Sequence, residues 1–599
     1  MNHTNIRAIF VFTLSSQLVL SACGNSSTNN IDGESNIVGE SAAMISSDRV
    51  AMSQVSFLPD SEKVALIPDI PATQFQIVSI AEGEVVFEGD LTEAKEWQVA
   101  KGESYKVADF SVLNSAGELI LRIDGVEDKA FQINQNAYDK LHDASLKSFY
   151  FNRASTEITE EYGGAWARAA GHLDEKVNYH VSALKGSADK DSSNNKDRWL
   201  IASKGWYDAG DYGKYVVNSG IATYTLLAAF QHHPNFYQNK NISIPESDNG
   251  LPDLLDEISW NLEWLEKMQA DDGSVYHKLT TLKWPGKEMP HQDKRARYVI
   301  GKSTSAALDF AAVMAMASRV YGQQSDAYLT KSQQWLKQAT SAYQWAKANG
   351  DLPYVQPDDV KSGEYGDDFF HDEFSWAAAE LFLATNDTKY LDDFTQNQQP
   401  FTVPSWQHVS ALGVISLLAA EANTLDEALY QQLRKSLLET ADIYVTQYRE
   451  SAFRVPMVAD DFVWGSNSAA LNKAIVLMQA YRLTDNAEYK TVASSLMTYV
   501  LGKNPTGYSF VTGFGEKPAM LPHHRASQSD GVSEPIPGML VGGPQSGQQD
   551  GCDYPSDEPA LSYADTWCSY STNEVAINWN APLVYMLAAL IADQKVSEE

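Results

Sequence analysis

Two aspartates three residues apart, Asp208 and Asp211, sit in "GWYDAGDYGKYVVNSG" (Gly205 to Gly220), a glycine-punctuated turn dense in aromatic residues. Acidic turns of this kind usually cap helices or face solvent. They can also hold a metal, or supply half of a catalytic set whose other half lies elsewhere. Two distant stretches offer that other half. "SFVTGFGEKPAMLPHHR" (Ser509 to Arg525) is a glycine-rich loop ending in His523, His524 and Arg525. "YADTWCSYSTNEVAINWNAP" (Tyr563 to Pro582) puts Glu574 at the expected start of the last long helix. Singly, each group has a structural explanation: a cap at Asp208, a hydrogen-bonded loop histidine, a first-turn carboxylate favoured by the helix dipole. Together, two aspartates, a remote glutamate and a His–Arg loop are the inventory for hydrolysing a glycosidic bond. One protonated carboxyl gives its proton to the leaving oxygen, and one ionised carboxylate activates water.

Groups so far apart in the chain need a frame that brings them together. Between 48 and 137, "KVALI", "QFQIVSI", "EVVFEG", "SYKVADFSVL" and "LILRIDG" are short alternating or β-branched runs separated by turn residues. Several such strands in about 90 residues predict a small β-sandwich. From 138 the period turns helical. In "LPDLLDEISWNLEWLEKMQ", Leu254, Leu255, Ile258, Leu262 and Leu265 fall on one stripe of a helix that opens at a proline. About ten to twelve such segments fill roughly 450 residues, with no strand-rich stretch expected between them. Many are apolar on more than one side, which fits a multi-helix toroid better than a four-helix bundle. Polar Gly/Pro-rich loops interrupt them at 503–550 and 551–570, and long structured loops in a compact domain usually carry function.

Composition narrows the partners. With 78 acidic against 45 basic residues and a net charge of −33, the chain lacks the basic surface a nucleic acid requires. A neutral or cationic ligand is favoured instead. The 14 Trp and 29 Tyr are explained mostly by core packing, although aromatic rings also stack on the apolar faces of sugars.

Residues 1–22 read as an export signal, with one positive charge before "AIFVFTLSSQLVL", an apolar run too short for an ordinary membrane span. The run ends in "LSAC", which resembles a bacterial lipobox whose cysteine, here Cys23, is acylated; a plain secretory signal is the alternative. Gly24 after it leans, by that resemblance, towards the outer membrane of a Gram-negative cell. Residues 23–47 read as a flexible polar tether. Cys552 and Cys568 then remain, an even count that suggests a disulfide in an exported protein. No CxxC pair or Cys/His cluster supports a thiolate zinc site.

Position by position, a resemblance becomes specific. "GWYDAGDYGKYV" matches the aspartate turn of glycoside hydrolase family 9. The loop matches the family's first signature at Ser509, Val511, Thr512, Gly515, Lys517, Pro522, His523 and Arg525, and the C-terminal run matches its second at Tyr563, Asp565, Tyr570, Glu574, Ala576, Asn580 and Ala581. The chain is similar, over nearly all its mature length, to the subgroup with an immunoglobulin-like domain before the catalytic domain. The resemblance implies an all-α (α/α)6 barrel at 138–599 behind an all-β immunoglobulin-like sandwich at 48–137. It implies Asp211 as general base, Asp208 as a partner holding the same water, and Glu574 as general acid. His523 and Arg525 are expected beside the sugar at the scissile bond. Inversion is implied too, and an inverting site separates acid from base by about 6.5–9.5 Å to admit water. Two close aspartates resist joint ionisation, so one is expected to have a raised pKa.

The resemblance leaves other positions open. Asp565 matches a family position near the acid, where it either supports the site or starts a helix. Trp464 in "FVWGSN" is either a sugar-stacking ring in the cleft or buried packing. "EYGDDFFHDEFSWAAAEL" resembles a stretch that holds calcium in relatives, with Asp367, Asp372 and Glu373 as candidate oxygen ligands; an acidic helix N-terminus explains it equally. Zinc, which some relatives bind through Cys and His, is not carried over, because those cysteines are missing.

The expected protein is an exported, lipid-anchored β-1,4-glucanase acting on cellulose-type chains or cellodextrins. It needs no organic cofactor, works as a monomer, and meets a membrane only through its lipid. The small domain is expected to buttress the larger one, and soluble or amorphous glucans are favoured over crystalline cellulose. One alternative is an exo-β-glucosaminidase acting on chitosan oligosaccharides. Another, from a different class, is a non-catalytic sugar-binding lipoprotein, which would be expected to have lost Asp211 or Glu574.

Overall fold

Seven short strands open the computed structural model, which describes residues 44–184, 198–421 and 424–596. The expected export signal, Cys23 and the expected tether as far as residue 43 lie outside the described residues. The strands are β1 (Val64–Pro68), β2 (Gln74–Ser79), β3 (Val85–Asp90), β4 (Lys95–Glu96), β5 (Ser104–Asp109), β6 (Gly117–Arg122) and β7 (Lys129–Ile133). They form two antiparallel sheets, β1-β5-β4 and β3-β2-β6-β7. Two of the strands carry no clear strand signal in the sequence: β4 is only two residues, both charged, and β7, KAFQI, does not alternate.

β1 is buried at all five positions, and the period of two explains why. Ala65 and Ile67 face the sandwich core with Phe75, Ile77 and Phe110. Val64 and Leu66 turn the other way, with Trp97, Tyr105 and Val107, into the core of the helical part. Trp97 stacks on Phe453 with ring centroids 4.6 Å apart. Glu62 pairs with Lys503 at 2.7 Å where both side chains are at most 1% exposed. Residues from Met44 onward accordingly form one compact unit. The sandwich also reaches the roots of both long loops. Gln54 Nε2 donates to the Gly507 carbonyl and its Oε1 accepts from the Lys517 amide, each at 2.8 Å. Val99 O accepts from the Ala560 amide at 2.8 Å.

The helices of nine residues or more are α1 (Asp139–Phe151), α2 (Val216–His232), α3 (Asp253–Met268), α4 (Thr304–Gly322), α5 (Asp326–Asn349), α6 (His371–Thr385), α7 (Thr388–Asn397), α8 (Ser410–Leu418), α9 (Glu427–Glu450), α10 (Ser466–Thr484), α11 (Ala487–Val500) and α12 (Ile577–Val596). They alternate in character. α2, α4, α6, α8 and α10 are buried nearly all round, as helices of the innermost layer must be. α2 packs on α4, α4 on α6, α6 on α8, α10 on α12, and α12 back on α2. Leu412 and Ile415 of α8 meet Asn472 and Ile475 of α10 around a narrow cavity. α3, α5, α7 and α11 each lie outside the even-numbered helix before them, and α1 lies against α12.

One expectation is overturned. The helical part holds a five-stranded sheet, β10-β11-β12-β8-β9, built from β8 (Val177–Tyr179), β9 (Trp199–Leu200), β10 (Lys214–Tyr215), β11 (Tyr276–Thr281) and β12 (Arg297–Lys302). Three of its strands have two or three residues, too few for a period to show. β10 begins three residues after Asp211, so this sheet carries the aspartate turn.

Candidate active site

The turn that carries Asp208 and Asp211 is braced from below. Trp206 Nε1 donates to Glu257 Oε1 at 2.7 Å, and Arg153 Nε donates to both Glu257 oxygens at 3.1 Å. Gly205 has φ +80°, and a Cβ there would lie 2.7 Å from the Trp264 ring, so only glycine fits. Asp174 pairs with Lys214 at 2.8 Å and with Arg297 Nε at 2.9 Å, while Arg297 Nη1 donates to Tyr212 O at 2.7 Å. The Asp208 amide closes the turn onto Gly213 O at 3.0 Å.

Both aspartates are buried, but their hydrogen bonding differs. Asp208 Oδ1 accepts from Asn218 Nδ2 at 2.6 Å, and Oδ2 accepts from Tyr365 OH at 2.7 Å. Asp211 Oδ2 accepts from the Gly213 amide at 3.0 Å and from Tyr215 OH at 3.4 Å. Its other oxygen has no donor among the described residues. Burial, and then the charge of Asp211, pushes Asp208 up to about 7. Burial also raises Asp211, opposed by Arg525, the Gly213 amide, Arg297 and Tyr215.

Glu574 meets these aspartates across Gly210. Its Oε1 accepts from the Gly210 amide at 3.3 Å, and Gly210 O accepts from the Arg525 amide at 3.1 Å and from Arg525 Nη1 at 2.8 Å. A Cβ on Gly210 would lie 2.0 Å from His523 O and 3.0 Å from Glu574 Oε1. The three stretches singled out in the sequence therefore converge on one glycine. Burial, followed by the charges of Asp211 and Asp208, pushes Glu574 up to about 8, against the pull of Arg525. Glu574 does not begin the last helix as expected. It lies in extended backbone (φ −72°, ψ 158°) after the short helix Tyr570–Asn573, and α12 starts at Ile577. This break lets its side chain leave the helix axis and stay partly exposed.

The neighbouring residues divide into cleft groups and braces. His523 Nδ1 donates to Trp567 O at 2.7 Å, which leaves Nε2 as an acceptor. Its ring stacks on Trp567 at 4.2 Å, and burial together with Arg525 and Lys287 holds it down to about 4, so it is neutral near pH 7. Arg525 is buried, and besides Gly210 it donates from Nε to Pro285 O at 3.2 Å. Its guanidinium thus grips the aspartate turn and the β11–β12 loop. Asp565, for which a supporting role and a helix start were both open, ties down the His–Arg loop. Its oxygens accept from the Met520 and Leu521 amides at 2.8 Å each and from Asn573 Nδ2 at 3.0 Å. Trp464 is not buried packing: it is 42% exposed and leans on Tyr570 with centroids 5.6 Å apart. Sequence reasoning missed Trp284, 44% exposed, whose ring centroid lies 5.9 Å from the Arg525 guanidinium carbon. The disulfide Cys552–Cys568, with Cα atoms 6.0 Å apart, closes the loop ahead of Glu574.

The acidic stretch at α6 is a separate cluster. Asp372 Oδ2 accepts from the Val409 amide at 2.9 Å and Asp367 Oδ1 from the Phe369 amide at 2.9 Å. Asp367 Oδ2, Asp372 Oδ1, Glu373 Oε2 and, from α4, Asp309 Oδ1 are buried without a hydrogen-bond partner. Burial and mutual repulsion push Asp309 and Glu373 well above the carboxylate range. Unpartnered carboxylate oxygens suit a hard cation and not zinc. Among the described residues, however, no three acidic, His or Cys side chains converge to hold a metal on their own.

Comparison with known proteins shows the family. A family model described as glycosyl hydrolase family 9 matches residues 138–587, and one described as cellulase N-terminal ig-like domain matches 46–128. The xyloglucan-specific endo-beta-1,4-glucanase BoGH9A of Bacteroides ovatus is 40% identical over 568 residues, 92% of this chain and 95% of its own. The cellodextrinase of Butyrivibrio fibrisolvens is 33% identical over 571 residues, 91% of this chain and all of its own. A solved Bacteroides ovatus GH9 structure superposes with a TM-score of 0.86 at 38% identity, covering 92% of this chain and 100% of that one.

Proposed function

The chain belongs to glycosyl hydrolase family 9 and is a glycoside hydrolase; from that premise we propose that it cleaves β-1,4-glucosidic bonds by single displacement, with Asp211 as general base and Glu574 as general acid. The observation that carries the reading is the contrast between the three carboxyls that meet at Gly210. Glu574 keeps its proton to about pH 8 and is partly exposed, as a group that protonates the leaving oxygen must be. Asp211 is the one surrounded by Arg525, Arg297 and hydroxyl and amide donors, and one of its oxygens is left for water. Asp208 is held by Asn218 and Tyr365 through one lone pair on each oxygen, and a remaining lone pair orients the same water. As water attacks, Asp211 takes its proton while Glu574 protonates the departing sugar, and the anomeric centre inverts. Neutral His523 accepts a sugar hydroxyl at Nε2. Arg525 contributes by fixing the aspartate turn against the Glu574 loop. Trp464 and Trp284 offer exposed rings for sugar stacking.

The alternating inner and outer helices support an (α/α)6 barrel as the frame. The printed activities of two relatives, a xyloglucan-specific endo-beta-1,4-glucanase and a cellodextrinase, favour xyloglucan or cello-oligosaccharides as substrate. Reducing-sugar release from xyloglucan, carboxymethyl cellulose or cellotetraose, with none from glucosamine oligomers, is the expected result. Release from the glucosamine oligomers alone would replace this reading with a β-glucosaminidase. Export and lipidation at Cys23 belong to the same reading, which labelling with a radioactive fatty acid tests in the parent and in Cys23→Ser.

At the α6 cluster we propose a calcium ion held by no more than two of the carboxylates Asp367, Asp372 and Glu373 at once, with backbone carbonyls and water completing the shell. The ion would neutralise buried carboxylates and so stabilise the fold. Calcium is expected to raise the melting temperature and a chelator to lower it, and Glu373→Gln is expected to abolish the difference. A melting temperature indifferent to calcium would remove the metal from the account.

A further inference from the structure

Lys278, in β11 of the five-stranded sheet, is a buried cation with no part in the catalysis proposed above. β10 follows directly from the aspartate turn, and β11 pairs with it antiparallel in the register Tyr215↔Lys278, so the two side chains share a face. Lys278 is wholly buried. Its Nζ donates to Gly363 O at 2.6 Å and Gln356 Oε1 at 2.8 Å, both neutral acceptors, and it makes no ion pair with any described carboxylate. It lies 5.6 Å from the centroid of the Tyr215 ring and 5.0 Å from that of Tyr354. Tyr215 in turn donates its hydroxyl to Asp211 Oδ2 at 3.4 Å. A buried ammonium with only neutral partners is costly to keep. A cation over a phenol ring draws electron density inward and makes the hydroxyl a stronger donor to a carboxylate.

We propose that Lys278 is a positioning residue for the general base: acting through Tyr215, its charge keeps Asp211 ionised and oriented in the acid half of the working pH range. The inference rests on Asp211 being the base. The other charges facing Asp211 are Arg525 and Arg297, which favour ionisation, and Asp208 and Glu574, which oppose it. Those facing Lys278 are Asp211 and Glu364, with His277 beside it held neutral by burial. Burial also holds Lys278 down to about 7, so it carries its charge through the acid half of the range.

Lys278→Gln is expected to move the acid limb of the kcat/KM profile upward by about one pH unit, the effect of a unit charge acting across a ring's width in protein. The alkaline limb should stay in place. Lys278→Arg should restore the acid limb, and Tyr215→Phe should shift it in the same upward direction even if Lys278→Gln fails to fold. Acid limbs unchanged in all three variants would overturn the proposal, as would a uniform loss at every pH with unmoved limbs. Failure of the underlying reading looks different: an Asp211→Asn variant that stays active would remove the base itself.

Discussion

Glu574→Gln is expected to lower kcat on a soluble β-1,4-glucan by about 10²–10⁴-fold while leaving KM nearly unchanged. Glutamine keeps the shape of the side chain and can still meet the Gly210 amide at Oε1, so the geometry survives and the proton does not. The pH profile carries the sharper statement. The folded pKa of Glu574 is raised to about 8, so the acid form is present below that pH and is lost as pH rises through it. The parent enzyme should lose kcat/KM above about pH 8, and the variant should show no such limb. A substrate with an aryl leaving group, which departs without a proton, should recover much of the loss in Glu574→Gln. It should recover none in Asp211→Asn, where the defect lies in activating water. Near-parent activity in either variant would remove that residue from its role.

Gly210→Ala is expected to be almost as damaging without touching a reacting group. The added methyl would lie 2.0 Å from His523 O, and backbone there cannot swing aside, because the His523 amide is itself bonded to Asn573 O at 2.8 Å. The turn and the Glu574 loop must therefore separate, which breaks the bonds from Arg525 to Gly210 O and lengthens the reach between acid and base. A misplacement of about 1 Å costs on the order of 10²-fold in rate, and forcing a methyl into a packed site destabilises by about 1–3 kcal/mol. The expected result is a folded protein with a modestly lower melting temperature and kcat reduced about 100-fold or more. Gly117→Ala, where a Cβ meets nothing within 4 Å, is the matched control and should behave as the parent. A Gly210→Ala enzyme with normal kcat would show that the approach of the three segments is not what sets the geometry.

Much of this site was legible in the chain because three distant stretches match family signatures position by position, although each group singly has a structural explanation. The DAGD turn, the His–Arg loop and Glu574 could be named from letters alone, and the alternation of sandwich strands and helices followed from periods of two and 3.6. What stayed hidden was everything that depends on pairing across the chain. Tyr365 reaches Asp208 from 157 residues away, and Lys278 meets Tyr215 only through a strand register in a sheet too short to betray itself. Arg525 and Asp565 were legible as family positions, but their work of holding backbone carbonyls and amides is invisible without coordinates. Trp464 shows the same limit from the other side, since a tryptophan in a polar loop reads equally as core or as cleft until its exposure is seen. Asn573 and the apolar run after Glu574 look like a helix start; the chain instead straightens there, freeing the side chain.

The central claim is that Asp211 activates water on one side of the sugar while Glu574 protonates the leaving oxygen on the other. Proton NMR of the first sugar released from a defined cello-oligosaccharide, recorded before mutarotation, tests it most directly. The account predicts that the α-anomer appears first from the β-linked substrate and then equilibrates. A β-anomer appearing first would mean a covalent intermediate and two displacements, and would contradict the assignment of Asp211 as a base.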